Sequence, residues 1–86
     1  MTLTLKYSKN AAKDISKLDN LIKRKIKEVL ETKLVKDPIG NSVKLRDFEV
    51  DNVRRFRIGN YRIIFIIEGN TVEILKVGHR RNIYRN

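Results

Sequence analysis

Alternation of apolar and polar residues over Thr2–Tyr7 opens the chain and reads as a strand, because side chains in a strand point to opposite faces in turn. The period then lengthens. Ser8 is placed to cap a helix over Lys9–Leu18, whose Ala11, Ala12, Ile15 and Leu18 share one helical face. Asp19-Asn20 forms a joint, and a second helix is expected from about Leu21 to Val35. There Ile22, Ile26, Val29, Leu30 and Leu34 draw one apolar stripe, opposed by Lys23, Arg24, Lys25, Lys27, Glu28, Glu31 and Lys33 on a solvated face. These two helices make a hairpin that cannot bury its stripe alone. Asp37–Ser42 is a loop, Val43–Arg46 a short edge strand, and Asp47–Asp51 an exposed acidic connection.

The period then shortens to two. Gly59-Asn60 separates Asn52–Ile58 from Tyr61–Glu68, and Gly69-Asn70 leads on into Thr71–Gly78. Gly-Asn between β-rich runs is a two-residue hairpin turn, since its first central residue needs positive φ. Two such turns set the register of three strands. One sheet face then carries Phe56, Ile58, Tyr61, Ile63, Phe65, Ile67, Val72 and Ile74, the surface the helix hairpin requires. The other carries Val53, Arg55, Arg57, Arg62, Ile64, Ile66, Leu75 and Val77, cationic near the first turn and apolar further away. In this register Val77 faces Arg62, and His79 points the same way. The fold expected is α+β: a two-helix hairpin on one face of a small antiparallel sheet, in a single domain spanning residues 1–86.

Charge sharpens this picture. The formal net charge is +10, and residues 52–86 hold eight Lys/Arg against two acids. Such a bias favours a polyanion or an acidic protein as partner. The sequence has no cysteine and one histidine, so no metal site and no cofactor is expected. No apolar run approaches the roughly 20 residues that span a bilayer, so a cytoplasmic protein without a membrane partner is expected.

The candidate chemistry sits on the face away from the helices. Arg57 falls directly opposite Arg62, with Arg55 beside it. Like charges across a strand pair are destabilising, so the fold alone has no use for this pairing. A bound phosphate would relieve it. Cleavage of RNA by its own 2′-hydroxyl needs a base at that hydroxyl, cations at the phosphorane and an acid at the leaving oxygen. Arginine supplies a planar fork for phosphate oxygens but is a poor base. Proton transfer is left to His79, Tyr84 or a group on the substrate, and Tyr84 can alternatively stack on a base. Arg80, Arg81, Tyr84 and Arg85 follow in a basic tail. Arg54 and Lys76 fall on the helix side in this register, reaching solvent or, for Arg54, a carboxylate.

The block Arg55-Phe56-Arg57-Ile58-Gly59-Asn60-Tyr61-Arg62, with Lys44-Leu45 upstream and Gly78-His79-Arg80-Arg81-Asn82-Ile83-Tyr84 downstream, resembles the RelE/ParE superfamily of toxin–antitoxin toxins, most closely its RelE branch. The resemblance spans nearly the whole chain. It implies a small antiparallel sheet on a helix hairpin and a metal-independent endoribonuclease that enters the ribosome and cuts mRNA. An acidic RelB-like antitoxin would wrap the toxin, in a possible heterotetramer, covering the cationic face and the strip Ile64, Ile66, Leu75 and Val77. Residue by residue, the family's catalytic arginines fall on Arg62 and Arg80 and its tyrosine on Tyr84. Its strand cations fall on Arg55 and Arg57, and His79 stands where the family has a lysine. Lys44, Arg81 and Arg85 are further RNA-contact candidates. Two other functions fit the same basic fold: a ParE-like inhibitor of DNA gyrase, and a plain RNA-binding domain.

Overall fold

A computed structural model describes residues 3–44 and 53–79 of the chain. Strand β1 (Thr4–Tyr7) leads into helices α1 (Lys9–Ser16) and α2 (Asn20–Val29). Strands β2 (Val43–Lys44), β3 (Val53–Ile58), β4 (Tyr61–Glu68) and β5 (Thr71–His79) follow. The five strands form one sheet in the order β1-β5-β4-β3-β2. β2 through β5 are antiparallel neighbours, whereas β1 runs parallel to β5, so the sheet is mixed and not purely antiparallel. The first strand enters beside the last, and the turn signals of the later hairpins hold no information about that pairing.

Local chemistry explains where the helices start and stop. The Ser8 hydroxyl accepts the Ala11 N–H at 3.1 Å and so caps α1. α1 ends earlier than its apolar face suggests, because the N–H groups of Lys17 and Leu18 turn to the carbonyls of Asp14 and Ile15, tightening the last turn. α2 widens into one π-helical turn over Leu30–Leu34, where the Val35 N–H reaches back to the Leu30 carbonyl at 3.2 Å. In that turn the Thr32 hydroxyl donates to the Glu28 carbonyl. The wide turn leaves Leu30 and Leu34 fully buried on one side.

The core lies between sheet and helices. Ala11, Ile15, Ile26, Leu30 and Leu34 pack against Phe56, Ile58, Ile63, Phe65, Val72, Ile74 and Val77, with Tyr61 and Ile67 at the margin. All eight sheet residues expected on the helix side lie in or against this cluster. Both Gly-Asn turns form as expected, Gly59 at φ 57° and Gly69 at φ 58°. Tyr7 packs at the edge of the core, and its hydroxyl oxygen is buried without a hydrogen-bond partner. Burial pushes the Tyr7 phenol up from its ordinary value, and the nearby Glu31 carboxylate adds to the rise.

One feature of β5 departs from the sequence expectation. Its register to β4 shifts between Ile64 and Phe65: Ile74 faces Phe65, but Lys76 faces Ile64, leaving Leu75 as the extra residue of a β-bulge. Beyond the bulge every side chain changes face. Val77 faces Ile63 and is buried in the core, Gly78 faces Arg62, and His79 faces Tyr61. The expected pairing of Val77 with Arg62 is therefore replaced. The apolar strip expected to be open is also largely closed. Ile64 is buried with Val53 in a small second cluster flanked by Ile66, Val77 is in the main core, and Leu75 is half-buried. Among the described residues, no helix is long and apolar enough to cross a membrane.

Candidate functional site

The helix-free face is built in rows across the strands. In the row nearest the first turn, Arg57 of β3 faces Arg62 of β4, which faces Gly78 of β5. The next row runs Val43, Arg55, Ile64 and Lys76. A third runs Val53, Ile66 and Glu73, with Lys6 of β1 beyond it. Strands stand about 4.8 Å apart and alternate residues about 6.7 Å apart, so Arg55, Arg57, Arg62 and Lys76 share a patch of about 10 Å by 7 Å. That spacing suits the consecutive phosphates of one nucleic-acid strand.

The four cations are held differently. Arg57 and Lys76 are exposed, while Arg55 and Arg62 are half-buried and the Arg62 Nε is shielded from solvent. An arginine anchored along its stem presents its guanidinium in a restricted orientation, which favours forked contact with phosphate oxygens. Gly78, its neighbour on β5, puts no side chain beside Arg62. Among the described residues of this face, Glu73 lies two rows from Arg62 and opposite Lys6, and Glu68 lies at the far end of β4.

Arg55, Arg57 and Arg62 thus converge as the sequence indicates, and Arg57 and Arg62 are direct cross-strand neighbours. Two other candidates are placed elsewhere. His79 lies on the helix side, its ring meeting that of Tyr61 edge-on with centroids 5.7 Å apart. The bulge at Leu75 reverses its expected orientation toward Arg62. Lys44 pairs with Arg54, on the helix side of the β2 edge. Arg54, expected to reach solvent or a carboxylate, is among the described residues instead half-buried and bonded to a loop. Its guanidinium donates to the Ser42 hydroxyl at 2.6 Å and to the carbonyls of Ser42 and Ile39, tying the loop before β2 to the sheet. Arg80, Arg81, Tyr84 and Arg85 lie outside the described residues.

Lys76, like His79, lies on the face opposite to the one that plain alternation predicts, and it adds a cation to the patch. Its signal is present in the chain: Ile74-Leu75 sets two apolar residues side by side, and only an extra residue lets Val77 be buried while Lys76 stays in water. Among the described residues, no cluster of three or more His, Asp or Glu is arranged to hold a metal ion.

Comparison with known proteins agrees with this architecture. Residues 5–84 match the family model described as the ParE toxin of the type II toxin–antitoxin system parDE. Toxin RelG of Mycobacterium tuberculosis is 33% identical over 87 residues, covering 99% of this chain and 99% of its own. Toxin RelE3 of Methanocaldococcus jannaschii is 31% identical over 86 residues, covering 91% of each chain. In the crystal structure of the M. tuberculosis toxin–antitoxin complex RelBE2, a chain with 29% identity superposes with a TM-score of 0.84 over 93% of this chain and 100% of its own. The chain belongs to the RelE/ParE superfamily of type II toxin–antitoxin toxins.

Proposed function

We propose that this toxin is a ribosome-dependent endoribonuclease that cuts mRNA, and that the face bearing Arg55, Arg57, Arg62 and Lys76 holds the scissile phosphate. The observation that carries the reading is the direct Arg57–Arg62 pairing on the helix-free face. Two like charges are held directly opposite each other, a pairing that is unfavourable between strands and that a bound phosphate would offset. A phosphorane concentrates negative charge on its equatorial oxygens, and preorganised donors aimed there can contribute about 3–4 kcal/mol each to the transition state. Cations of this kind supply the charge stabilisation that a metal ion provides in other nucleases. RelE-type names among the similar toxins favour mRNA over gyrase as the target.

His79, the candidate base of the sequence, faces Tyr61 on the helix side, away from the arginines. Lys76 provides charge on the correct face, and Arg80 and Tyr84 complete the set that the family resemblance implies. The partner that restrains the toxin is an acidic RelB-like antitoxin, a reading supported by the RelB-type complexes among the structural neighbours. Complementary charge on a +10 toxin would speed that association.

Single-turnover cleavage of a labelled mRNA by purified toxin, with and without programmed ribosomes, tests the reading. Cleavage only with ribosomes is expected. Intact mRNA under both conditions, with loss of supercoiling by gyrase in a parallel assay, would favour the ParE-like alternative.

A further inference from the structure

The bulge in β5 is clamped from α1. β1 pairs with β5 only as far as Tyr7 opposite Ile74, and the last bond of that ladder runs from the Ser8 N–H to the Ile74 carbonyl at 2.9 Å. From there the chain of β1 turns into α1, and the edge of β5 loses its backbone partner. Two side chains of the helix take over. The Ser8 hydroxyl, while capping α1, donates to the Leu75 carbonyl at 3.0 Å. The Asp14 carboxylate accepts the Val77 N–H at 3.0 Å.

These two bonds are specific for the bulged register. In a regular strand, backbone groups point to alternate edges residue by residue. Since Ile74 offers its carbonyl toward β1, an unbulged β5 would turn Lys76 toward α1, and Leu75 and Val77 toward β4. The bulge switches that parity, so Leu75 and Val77 face Ser8 and Asp14. The same switch places Lys76 and Gly78 on the arginine face and moves Val77 and His79 off it. Without it, a branched valine would stand opposite Arg62.

We propose that Ser8 and Asp14 are positioning residues for the phosphate-binding face. By fixing the bulge at Leu75 they hold Gly78 beside Arg62 and Lys76 on the cationic side. This rests on the proposed function of that face, but the clamp also has a readout of its own. Burial of Val77 and exposure of Lys76 favour the same register, so loss of the clamp loosens the bulge while the fold survives.

The test uses the full chain with Asp14→Ala, Asp14→Asn and Ser8→Ala, and with Leu75 deleted in the wild-type and Asp14→Ala backgrounds. Amide exchange at Val77 should be about 10–100-fold faster in Asp14→Ala, the range expected for losing a hydrogen bond to a charged acceptor. Single-turnover cleavage on the ribosome should fall about tenfold while ribosome affinity is unchanged. Asp14→Asn, whose amide oxygen still accepts the Val77 N–H, should restore most of both. Deleting Leu75 removes the extra residue, so plain alternation alone sets Gly78 against Arg62. That deletion should recover the cleavage rate in the Asp14→Ala background. Wild-type exchange in Asp14→Ala, wild-type cleavage despite faster exchange, or a double variant slower than Asp14→Ala would each overturn the proposal. Should Asp14→Ala not fold, the same criteria apply to Ser8→Ala. A wild-type chain that never cuts mRNA would overturn the function of the face, leaving the exchange data to judge the clamp.

Discussion

At the residue scale, substitutions at Arg62 and Lys76 separate charge that serves folding from charge that, on the proposed function, serves RNA. Arg62→Ala removes one of two like charges held directly opposite each other. It is expected to shift unfolding free energy by less than about 1 kcal/mol while lowering cleavage at least about 100-fold. A large loss of stability with cleavage retained would mark the arginine as structural. Lys76 is exposed, so on the proposed function its part is charge placed near the phosphate. Lys76→Ala should slow single-turnover cleavage about tenfold, and Lys76→Arg should be close to wild type. If Lys76→Arg is as slow as Lys76→Ala, the amine acts in proton transfer, because arginine keeps the charge but does not give up a proton at working pH. Tyr7 offers a contrast without RNA. Its hydroxyl is buried with no hydrogen-bond partner, so Tyr7→Phe should stabilise the chain by about 1 kcal/mol. The folded chain also holds the Tyr7 proton more tightly than the unfolded chain, so stability declines as pH rises past the ordinary tyrosine value of 10.0. The advantage of Tyr7→Phe should therefore widen in alkali; a gap that stays constant or reverses would contradict the burial argument.

At the element scale, the two Gly-Asn turns and the bulge mark what the sequence discloses and what it hides. Both turns require a glycine in the left-handed region, a local demand written in two residues. Gly59→Ala tests it cleanly. A Cβ at Gly59 meets nothing within 4 Å, so the expected loss of about 1–2 kcal/mol is conformational and not steric. Denaturant midpoints measure that loss, and an unchanged midpoint would mean that the turn adopts another type. Because turn and alternation agree, the β3–β4 register was legible to the last pair, Arg57 with Arg62 included. β5 was legible only as far as Ile74. Its bulge depends on Ser8 and Asp14, which lie more than 60 residues away along the chain. A long-range contact of that kind leaves only an indirect trace, the adjacent Ile74 and Leu75. The parallel entry of β1 was hidden for the same reason, and the π-helical turn in α2 because it keeps the apolar stripe of an ordinary helix nearly intact.

At the scale of the whole molecule, the layers divide the work. One sheet face is consumed by the helix hairpin, and this leaves the opposite face free to hold charge that no core would tolerate. That division is legible in the sequence, because eight apolar positions on one side and three arginines on the other follow from one register. His79 and Lys76 lie opposite to the faces that alternation predicts, because a single extra residue reverses every later side chain. On the proposed function, the arginine face cuts mRNA on the ribosome. The most direct measurement maps mRNA 5′ ends across the transcriptome after brief induction of wild-type toxin and of Arg62→Ala. New ends confined to translated regions and in phase with codons, present for wild type and absent for Arg62→Ala, are the predicted result. Growth arrest with no new ends, or the same ends from Arg62→Ala, would contradict it.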